Sequence, residues 1–407
     1  MSFCIIHHSS TISKRPKYEL ADVFNRYLSD YLKTHRISLW QKKALFDIQA
    51  CRTALCGGHI EICDHCRFEQ PAYNSCHNRH CPKCQGIARR KWLAARLEEL
   101  LPAPYYHVVF TLPHRLNNIA LYNKRLIYDM FHKSAAYTLL KFGRDPRWLG
   151  AQMGLIGVLH TWGKGMCCHV HWHFIIPGGG LTDDGEWREL PHHDKFIFPH
   201  KALSKVVRAR FIKLLRKAYN KGEVKIPDSV APLQSPPMFE YFLNDLAMDE
   251  WVNYCKRPFG GPERALKYIG RYTHRVAITN KRLIDVNGGK IRFVVKDYKK
   301  GGASEQMTLP ADEFIRRFLM HILPRRFRKI RYAGFLAPAV RDEKLRLARR
   351  SLQKNRKESL WEMIKAPSVD MLDPIEKCPK CHIGLMRSIN IDRDTMKRSW
   401  ALYMDSS

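Results

Sequence analysis

Three histidines at alternate positions, His169, His171 and His173, lie in the segment Cys168-His-Val-His-Trp-His-Phe-Ile-Ile-Pro177. In a strand, residues i, i+2 and i+4 share one face. Three imidazoles on one face of an otherwise apolar strand are costly to bury without a common partner, and a divalent cation is the simplest one. The tighter pattern inside the segment is His171-Trp-His173, two histidines flanking a bulky apolar residue. An exposed histidine-rich edge is the plainer reading, but Phe174, Ile175 and Ile176 continue the strand as core. Further along runs Pro258-Phe-Gly-Gly-Pro-Glu-Arg-Ala-Leu-Lys-Tyr268-Ile-Gly-Arg-Tyr272-Thr-His-Arg275, in which Pro262 suits a first helical position. Tyr268 and Tyr272 then fall at i and i+4, neighbours on one helix face. Arg264, Lys267, Arg271 and Arg275 surround them with positive charge. Two tyrosines at this spacing are usually core packing; beside a metal-histidine strand they become candidate nucleophiles.

A second concentration of ligand chemistry lies nearer the N-terminus. Seven of the thirteen cysteines, Cys51, Cys56, Cys63, Cys66, Cys76, Cys81 and Cys84, share one short window with His59, His65, His77 and His80. Zinc prefers four tetrahedral thiolate or imidazole ligands. Cys63-x-x-Cys66 and Cys81-Pro-Lys-Cys84 supply two knuckles with fourteen residues between them, the spacing of a four-cysteine structural site. Cys51, His59, Cys76 and His80 could complete a second site, and partners could be exchanged between the two. Spacing alone leaves the pairing open and allows one or two structural Zn2+. Closed sites of this kind stabilise a fold and rarely catalyse. Cys378-Pro-Lys-Cys381-His382 is a further knuckle, alone near the C-terminus, a half-site that would need distant ligands or a second chain. Cys167 and Cys168 read as core or near-core thiols. The first residues, with Cys4, Ile5 and Ile6 followed by two histidines, form no signal-peptide h-region, so the cysteines point to metal in a reducing compartment rather than to disulfides.

The elements that must position these groups show as periodicity. Apolar residues recur at helical spacing from Tyr18 to about Leu32, and Ser38 suits the cap of a second helix carrying Leu39, Leu45, Phe46 and Ile48. Both helices are expected to pack on the cysteine-rich segment. Helical periods also mark Ala88–Leu101, Leu203–Tyr219 and Pro262–Thr273. Strands are expected at His107–Pro113, Gly154–Thr161, Trp172–Ile176, Trp251–Cys255, Val276–Ile278 and Arg292–Tyr298. Asp184-Gly185 and Asn287-Gly288 read as hairpin turns, and Gly178–Gly180 as a third turn. Irregular alternation of strands and helices with hairpin punctuation implies an α+β domain with a largely antiparallel sheet.

The 407 residues are 45% hydrophobic and 11% aromatic, enough for sizeable cores in two to four domains. No apolar run approaches the roughly 18 residues that span a bilayer. Seventy Lys and Arg against 38 Asp and Glu give a formal net charge of +32, a field that attracts polyanions, of which nucleic acid is the commonest. From Arg325 to Lys357 thirteen Lys or Arg, among them Arg325, Arg326, Arg328, Lys329 and Arg331, face only Asp342 and Glu343, which reads as a phosphate-contacting surface. Phosphodiester transfer needs an oxygen nucleophile and a cation that neutralises transition-state charge. Tyrosine, with a reference pKa of about 10, needs that cation or nearby charges to attack as phenolate. A phosphotyrosine link conserves bond energy, in keeping with the lack of a G-x-x-x-x-G-K-[ST] phosphate loop.

Over nearly its whole length the chain resembles the HUH-type rolling-circle transposases, specifically the two-tyrosine insertion-sequence transposases of the IS-ninety-one-like family. The resemblance rests on Asn74-Ser-Cys-His-Asn-Arg-His-Cys-Pro-Lys-Cys84, the strand ending Phe110-Thr-Leu-Pro113, and Leu159-His-Thr-Trp-Gly163. It continues through His169–His173 with Pro177-Gly-Gly-Gly180, and Tyr268-Ile-Gly-Arg-Tyr272-Thr-His-Arg275. Val170 stands where that family often has proline. The resemblance implies that His171 and His173 are a metal-binding pair for Mg2+ or Mn2+, with the role of His169 open. It implies that Tyr268 and Tyr272 are paired nucleophiles forming a 5′-phosphotyrosine intermediate on single-stranded DNA at transposon ends and target. The fold expected is an HUH endonuclease-type, mainly antiparallel sheet with flanking helices, in three parts. These are a helical and zinc-binding N-terminal domain over 1–100, the nuclease domain over 101–322, and a basic helical C-terminal region over 323–407. A cytoplasmic, nucleoid-associated protein with no membrane partner and no nucleotide cofactor is expected. Three other readings share some of these features. A rolling-circle replication initiator or relaxase would use the same chemistry. A non-enzymatic zinc DNA-binding regulator would leave the histidine strand and tyrosine helix idle, while a zinc hydrolase using His169, His171 and His173 would not need the tyrosines.

Overall fold

A computed structural model describes residues 16–97, 99–190, 197–259, 270, 273–297, 302–355 and 377–389. In chain order the described elements begin with α1 (Leu20–Thr34), α2 (Leu39–Ala50), β1 (Gly58–Cys63), β2 (Glu69–Tyr73), α3 (Gln85–Leu97) and β3 (Tyr105–Thr111). There follow α4 (Asn117–Tyr122), α5 (Lys124–Arg144), β4 (Gly154–Trp162), β5 (Cys168–Pro177), β6 (Gly179–Leu181) and β7 (Trp187–Glu189). Next come α6 (His200–Asn220), α7 (Pro236–Met248), β8 (Asn253–Phe259), β9 (Leu283–Asp285), β10 (Lys290–Asp297) and β11 (Ala303–Pro310). The last are α8 (Ala311–Met320), β12 (Ile330–Gly334), α9 (Arg341–Asn355) and β13 (Met386–Ile389). Among the described residues no helix is long and apolar enough to cross a membrane.

The central layer is a five-stranded sheet in the order β12-β4-β5-β3-β8, antiparallel at every step. The α+β, mainly antiparallel expectation is met. Alternation along β5 decides what each face carries. Trp172, Phe174 and Ile176 point, with Val108, Phe110 and Leu159 of the neighbouring strands, into a core shared with Ile127, Phe131 and Leu139 of α5 and Leu203, Val207 and Phe211 of α6. Each such side chain contributes about 1.5–3 kcal/mol when fully buried. His171, His173 and Ile175 take the other face. Gly157 of β4 lets the layers close, since a Cβ there would sit 3.1 Å from Phe174 and 3.3 Å from His132 of α5.

A second core joins the N-terminal helices to the segment after residue 276. Phe24, Tyr31, Leu45 and Ile48 pack with Phe293, Val295, Phe314, Ile315 and Phe318, which belong to the β11-β10-β9 sheet and α8. Ser38 caps α2 as expected, accepting from the Gln41 N–H at 3.3 Å. The helices therefore pack on this sheet as well as on the cysteine-rich segment, whose Cys51, Cys81 and Cys84 share the same core. The expected strand at Val276–Ile278 does not form; Ala277 and Ile278 are apolar because they fill this core, not because they pair.

Residues Ile330–Gly334 form the edge strand of the central sheet, and α9 buries Leu345, Ala348 and Leu352 against Ile156, Ile175 and Trp187. Gly178–Gly180 is not a turn. Gly179 and Gly180 lie in β6, packed so closely that a Cβ would come within 2.6 Å of the Arg188 and Gln152 carbonyls. The turns at Asp184-Gly185 and Asn287-Gly288 are present, with Gly185 at φ 79° and Gly288 at φ 61°.

Candidate active site and cysteine clusters

Strand register assembles a histidine cluster that spacing only partly announced. β4 and β5 pair with His160 opposite His171 and Val158 opposite His173, while Val109 of β3 faces His173 from the other side. His160, His171 and His173 each turn a ring nitrogen to one point, all within 4.8 Å of one another. His173 Nε2 lies 3.1 Å from His160 Nδ1. Two nitrogens bound at right angles to one ion at about 2.1 Å would stand about 3 Å apart, so the geometry fits a shared cation. His169 does not join them; its ring stacks on His114 at 5.3 Å, and its carbonyl lies 2.8 Å from His171 Nδ1. The third imidazole thus comes from β4 rather than from the same strand.

Burial holds His171 and His173 neutral. It pushes His171 down to about 3 and His173 well below the usual imidazole range, with neighbouring histidines and Arg275 adding to the effect. Neutral imidazole is the form that binds metal. Imidazole nitrogen is a transition-metal ligand whereas Mg2+ prefers oxygen, so of the two expected ions Mn2+ suits this donor set better. Behind the cluster, His107 Nε2 of β3 stands 2.8 Å from His173 Nδ1, the outer contact that fixes a ligand's tautomer and ring orientation. His160 and His107 were both missed as site residues. The only signal for either was its place in Leu159-His-Thr-Trp-Gly163 and in the strand at His107–Pro113.

Arg264, Lys267, Tyr268, Arg271 and Tyr272 lie outside the described residues. The flanking positions are described. A Cβ on Gly270 would meet Leu93 of α3 at 2.9 Å, Thr273 is buried, and the His274 ring lies 6.1 Å from Trp92. Arg275, whose charge is felt by His171 and His173, accepts at its carbonyl from Lys329 Nζ at 2.7 Å. The basic run divides. Arg325, Arg326 and Arg328 are exposed. Lys329, pushed down to about 7 by burial and then by the Arg79 and Arg275 charges, packs 5.2 Å above the Trp162 ring. Arg331 pairs with Asp129 and lies over Phe327 and Trp172. Both of these side chains are engaged by contacts within the fold.

The cysteines form two clusters of four, Cys51-Cys76-Cys81-Cys84 and Cys63-Cys66-Cys378-Cys381. The grouping of Cys63 and Cys66 with Cys81 and Cys84 is thereby replaced. The reason is the β1–β2 hairpin, whose six-residue β1 spans about 20 Å. Cys63 and Cys66 sit at its tip, while backbone bonds between Arg52 and Asn74 (3.1 Å) and Asn74 and Gly57 (3.0 Å) return the chain to Cys51 at its base. His59 and His80 join neither cluster. His59 Nδ1 is 2.7 Å from Asn74 Oδ1, and half-buried His80 accepts from the Leu323 N–H at 3.2 Å. Cys56 also stays outside them, and Cys167 is exposed rather than core.

Four sulfurs about 2.3 Å from one zinc stand about 3.8 Å apart. Cys51 to Cys84 and Cys76 to Cys84 measure 3.5 and 3.6 Å, far beyond the roughly 2.05 Å of a disulfide. The contact with Cys76 pushes Cys51 strongly down, and that with Cys51 pushes Cys81 strongly up. Thiols so close ionise together only around a cation, and both clusters support structural Zn2+.

Residues 154–344 match a family model described as "Putative transposase", and residues 23–112 one described as "Transposase zinc-binding domain". "Putative transposase y4qJ" of Sinorhizobium fredii is 42% identical over 388 residues, covering 92% of this chain and 95% of its own length. "Transposase for insertion sequence element IS801" of Pseudomonas savastanoi pv. phaseolicola is 29% identical over 303 residues, 72% of this chain and 69% of that one. No solved structure matches the chain. With a transposase relative this similar along almost the full length of both chains, and with both family models matched, the chain belongs to the IS-ninety-one-like insertion-sequence transposases, with their N-terminal zinc-binding domain.

Proposed function

We propose that the protein is a rolling-circle transposase that cuts and rejoins single-stranded DNA through tyrosine attack at the histidine cluster. The observation that carries this reading is the convergence of His160, His171 and His173 on one point, with the Arg275 charge beside them. His160, His171 and His173 would hold Mn2+ or Mg2+, and a cation so placed polarises the scissile phosphate and offsets its transition-state charge. His107 holds the His173 ring so that Nε2 faces the cluster. Arg275 offers guanidinium donors to a phosphate oxygen. The phenolate oxygen of Tyr268 or Tyr272 attacks phosphorus, and the bond to the 3′-oxygen breaks. That oxygen leaves as a free 3′-hydroxyl after taking up a proton, while the 5′-phosphate stays on tyrosine. Two tyrosines allow one to hold the first cut end while the other attacks the second phosphate, and each phosphotyrosine link conserves the bond energy that rejoining needs. Arg325, Arg326 and Arg328 would track the DNA backbone, and the reaction would take place in the cytoplasm on nucleoid DNA.

A nicking assay tests this. Single-stranded DNA carrying an element end, labelled 5′ and 3′ of the cut, is incubated with the full chain and Mn2+, Mg2+ or a chelator. The expected result is label from the 5′-phosphate side attached to protein only when a metal is present. Cleavage that leaves both labels on free DNA would point to metal-activated water and remove the tyrosines from the mechanism.

A further inference from the structure

Cys63-Asp-His-Cys66 and Cys378-Pro-Lys-Cys381 are far apart in the chain, yet they are built alike. Cys63 Sγ accepts from the His65 and Cys66 N–H groups at 3.4 and 3.3 Å, and Cys378 Sγ accepts from the Lys380 N–H at 3.3 Å. The residue after each second cysteine is left-handed, Arg67 at φ 60° and His382 at φ 58°. Each then donates its N–H to the first cysteine's carbonyl, Arg67 to Cys63 at 3.1 Å and His382 to Cys378 at 2.9 Å. Amide donors aimed at sulfur favour the thiolate, the form that binds metal. Across the pair, Cys63 lies 3.7 Å from Cys381 and Cys66 lies 3.6 Å from Cys378, close to the edge of a zinc–thiolate tetrahedron.

The C-terminal segment is fitted to its place. β13 extends the β1–β2 hairpin, with Cys63 opposite Met386 and Ile60 opposite Ile389. Asp64 accepts from the Leu385 N–H at 2.8 Å and pairs with Arg387 at 3.0 Å. Gly384 approaches so closely that a Cβ would stand 2.5 Å from Cys63 Sγ. A four-residue strand is a weak anchor by itself, and metal-binding free energy at a closed site adds directly to folding.

We propose that the two knuckles share one structural Zn2+, a second site that fastens the C-terminal segment onto the N-terminal zinc domain. Half of its ligands lie outside residues 23–112, the stretch matched by the zinc-binding family model. The ion joins residues 312 positions apart, so the whole nuclease sheet lies inside the loop it closes.

Zinc per chain, measured by elemental analysis after exhaustive dialysis on the full-length protein carrying His171→Ala and His173→Ala, so that the histidine cluster adds no zinc, tests the proposal. The parent should hold two. Cys378→Ser/Cys381→Ser should hold one, Cys63→Ser/Cys66→Ser one, and all four changes together still one, because the pairs share an ion and the Cys51 cluster keeps its own. The retained ion also shows that each variant's N-terminal domain has folded. Hydrogen exchange across residues 58–63 should speed up in the Cys378→Ser/Cys381→Ser chain. One zinc in the parent, two in either double variant, or none in the fourfold variant would overturn the shared site. So would a parent that is dimeric with zinc and monomeric after chelation, which would assign the knuckles to a bridge between copies.

Discussion

His171 and His173 were legible because alternation within one strand puts both on one face. His160 and His107 were not, because they lie 13 and 66 residues from His173 and meet it only through strand register. That difference sets up two expected outcomes. His160→Ala or His173→Ala should lower nicking by roughly 100-fold or more, with single-strand binding largely kept, since affinity comes from phosphate contacts by Lys and Arg. His107→Phe should cost about 10- to 100-fold, through weaker metal affinity and not through DNA binding, as outer-shell changes do. Metal titration of nicking separates the two. A His107→Phe chain with parental metal dependence would reduce His107 to a core residue.

At the level of elements, alternation and turn chemistry gave the core strands and the two glycine hairpins, while features set by tertiary fit stayed hidden. α5 escaped notice because it is buried on much of its circumference, with His132, Ser134 and Thr138 among its buried positions, and so shows no clean stripe. Val276–Ile278 read as a strand because apolarity alone does not distinguish pairing from core filling. Gly334 shows the kind of constraint only the fold reveals. It sits at φ 64° where β12 meets β4, and a Cβ would come within 1.8 Å of the Met153 carbonyl. Gly334→Ala should destabilise the chain by about 3 kcal/mol or more, adding backbone strain to overpacking; a urea midpoint equal to the parent's would contradict that. Cys81→Ser should release one zinc per chain and loosen the shared core of α1, α2 and α8. Equal zinc content in variant and parent would remove Cys81 from the ligand set.

For the whole molecule, charge and acid response follow from composition and burial together. The net charge of +32 was plain in the sequence, but which cations stay available was not, because Arg331 is committed to Asp129 and Lys329 to the Arg275 carbonyl. Changing Arg325, Arg326 and Arg328 to Ala should flatten the slope of log affinity against log salt by about 2 in all, at about 0.7 per lost single-strand contact. An unchanged slope would return these three to a solvated surface. Burial pushes His132 down to about 3 and His321 to about 4. The unfolded chain, with histidines near 6.5, therefore binds more protons between those values, and stability must fall as pH drops below about 6.5. The urea midpoint should be lower at pH 5 than at pH 7.5, and His132→Phe should narrow the gap. An equal gap in both proteins would mean that His132 is charged when folded.

If a tyrosine of the pair takes the DNA at the His160-His171-His173 cluster, mass spectrometry of the covalent adduct will locate it. Peptides from protein incubated with single-stranded DNA and Mn2+ should carry nucleotide on Tyr268 or Tyr272. The adduct should vanish in Tyr268→Phe/Tyr272→Phe and fall steeply in His173→Ala. An adduct mapped to any other residue, or one that persists in the double tyrosine variant, would remove both tyrosines from the reaction.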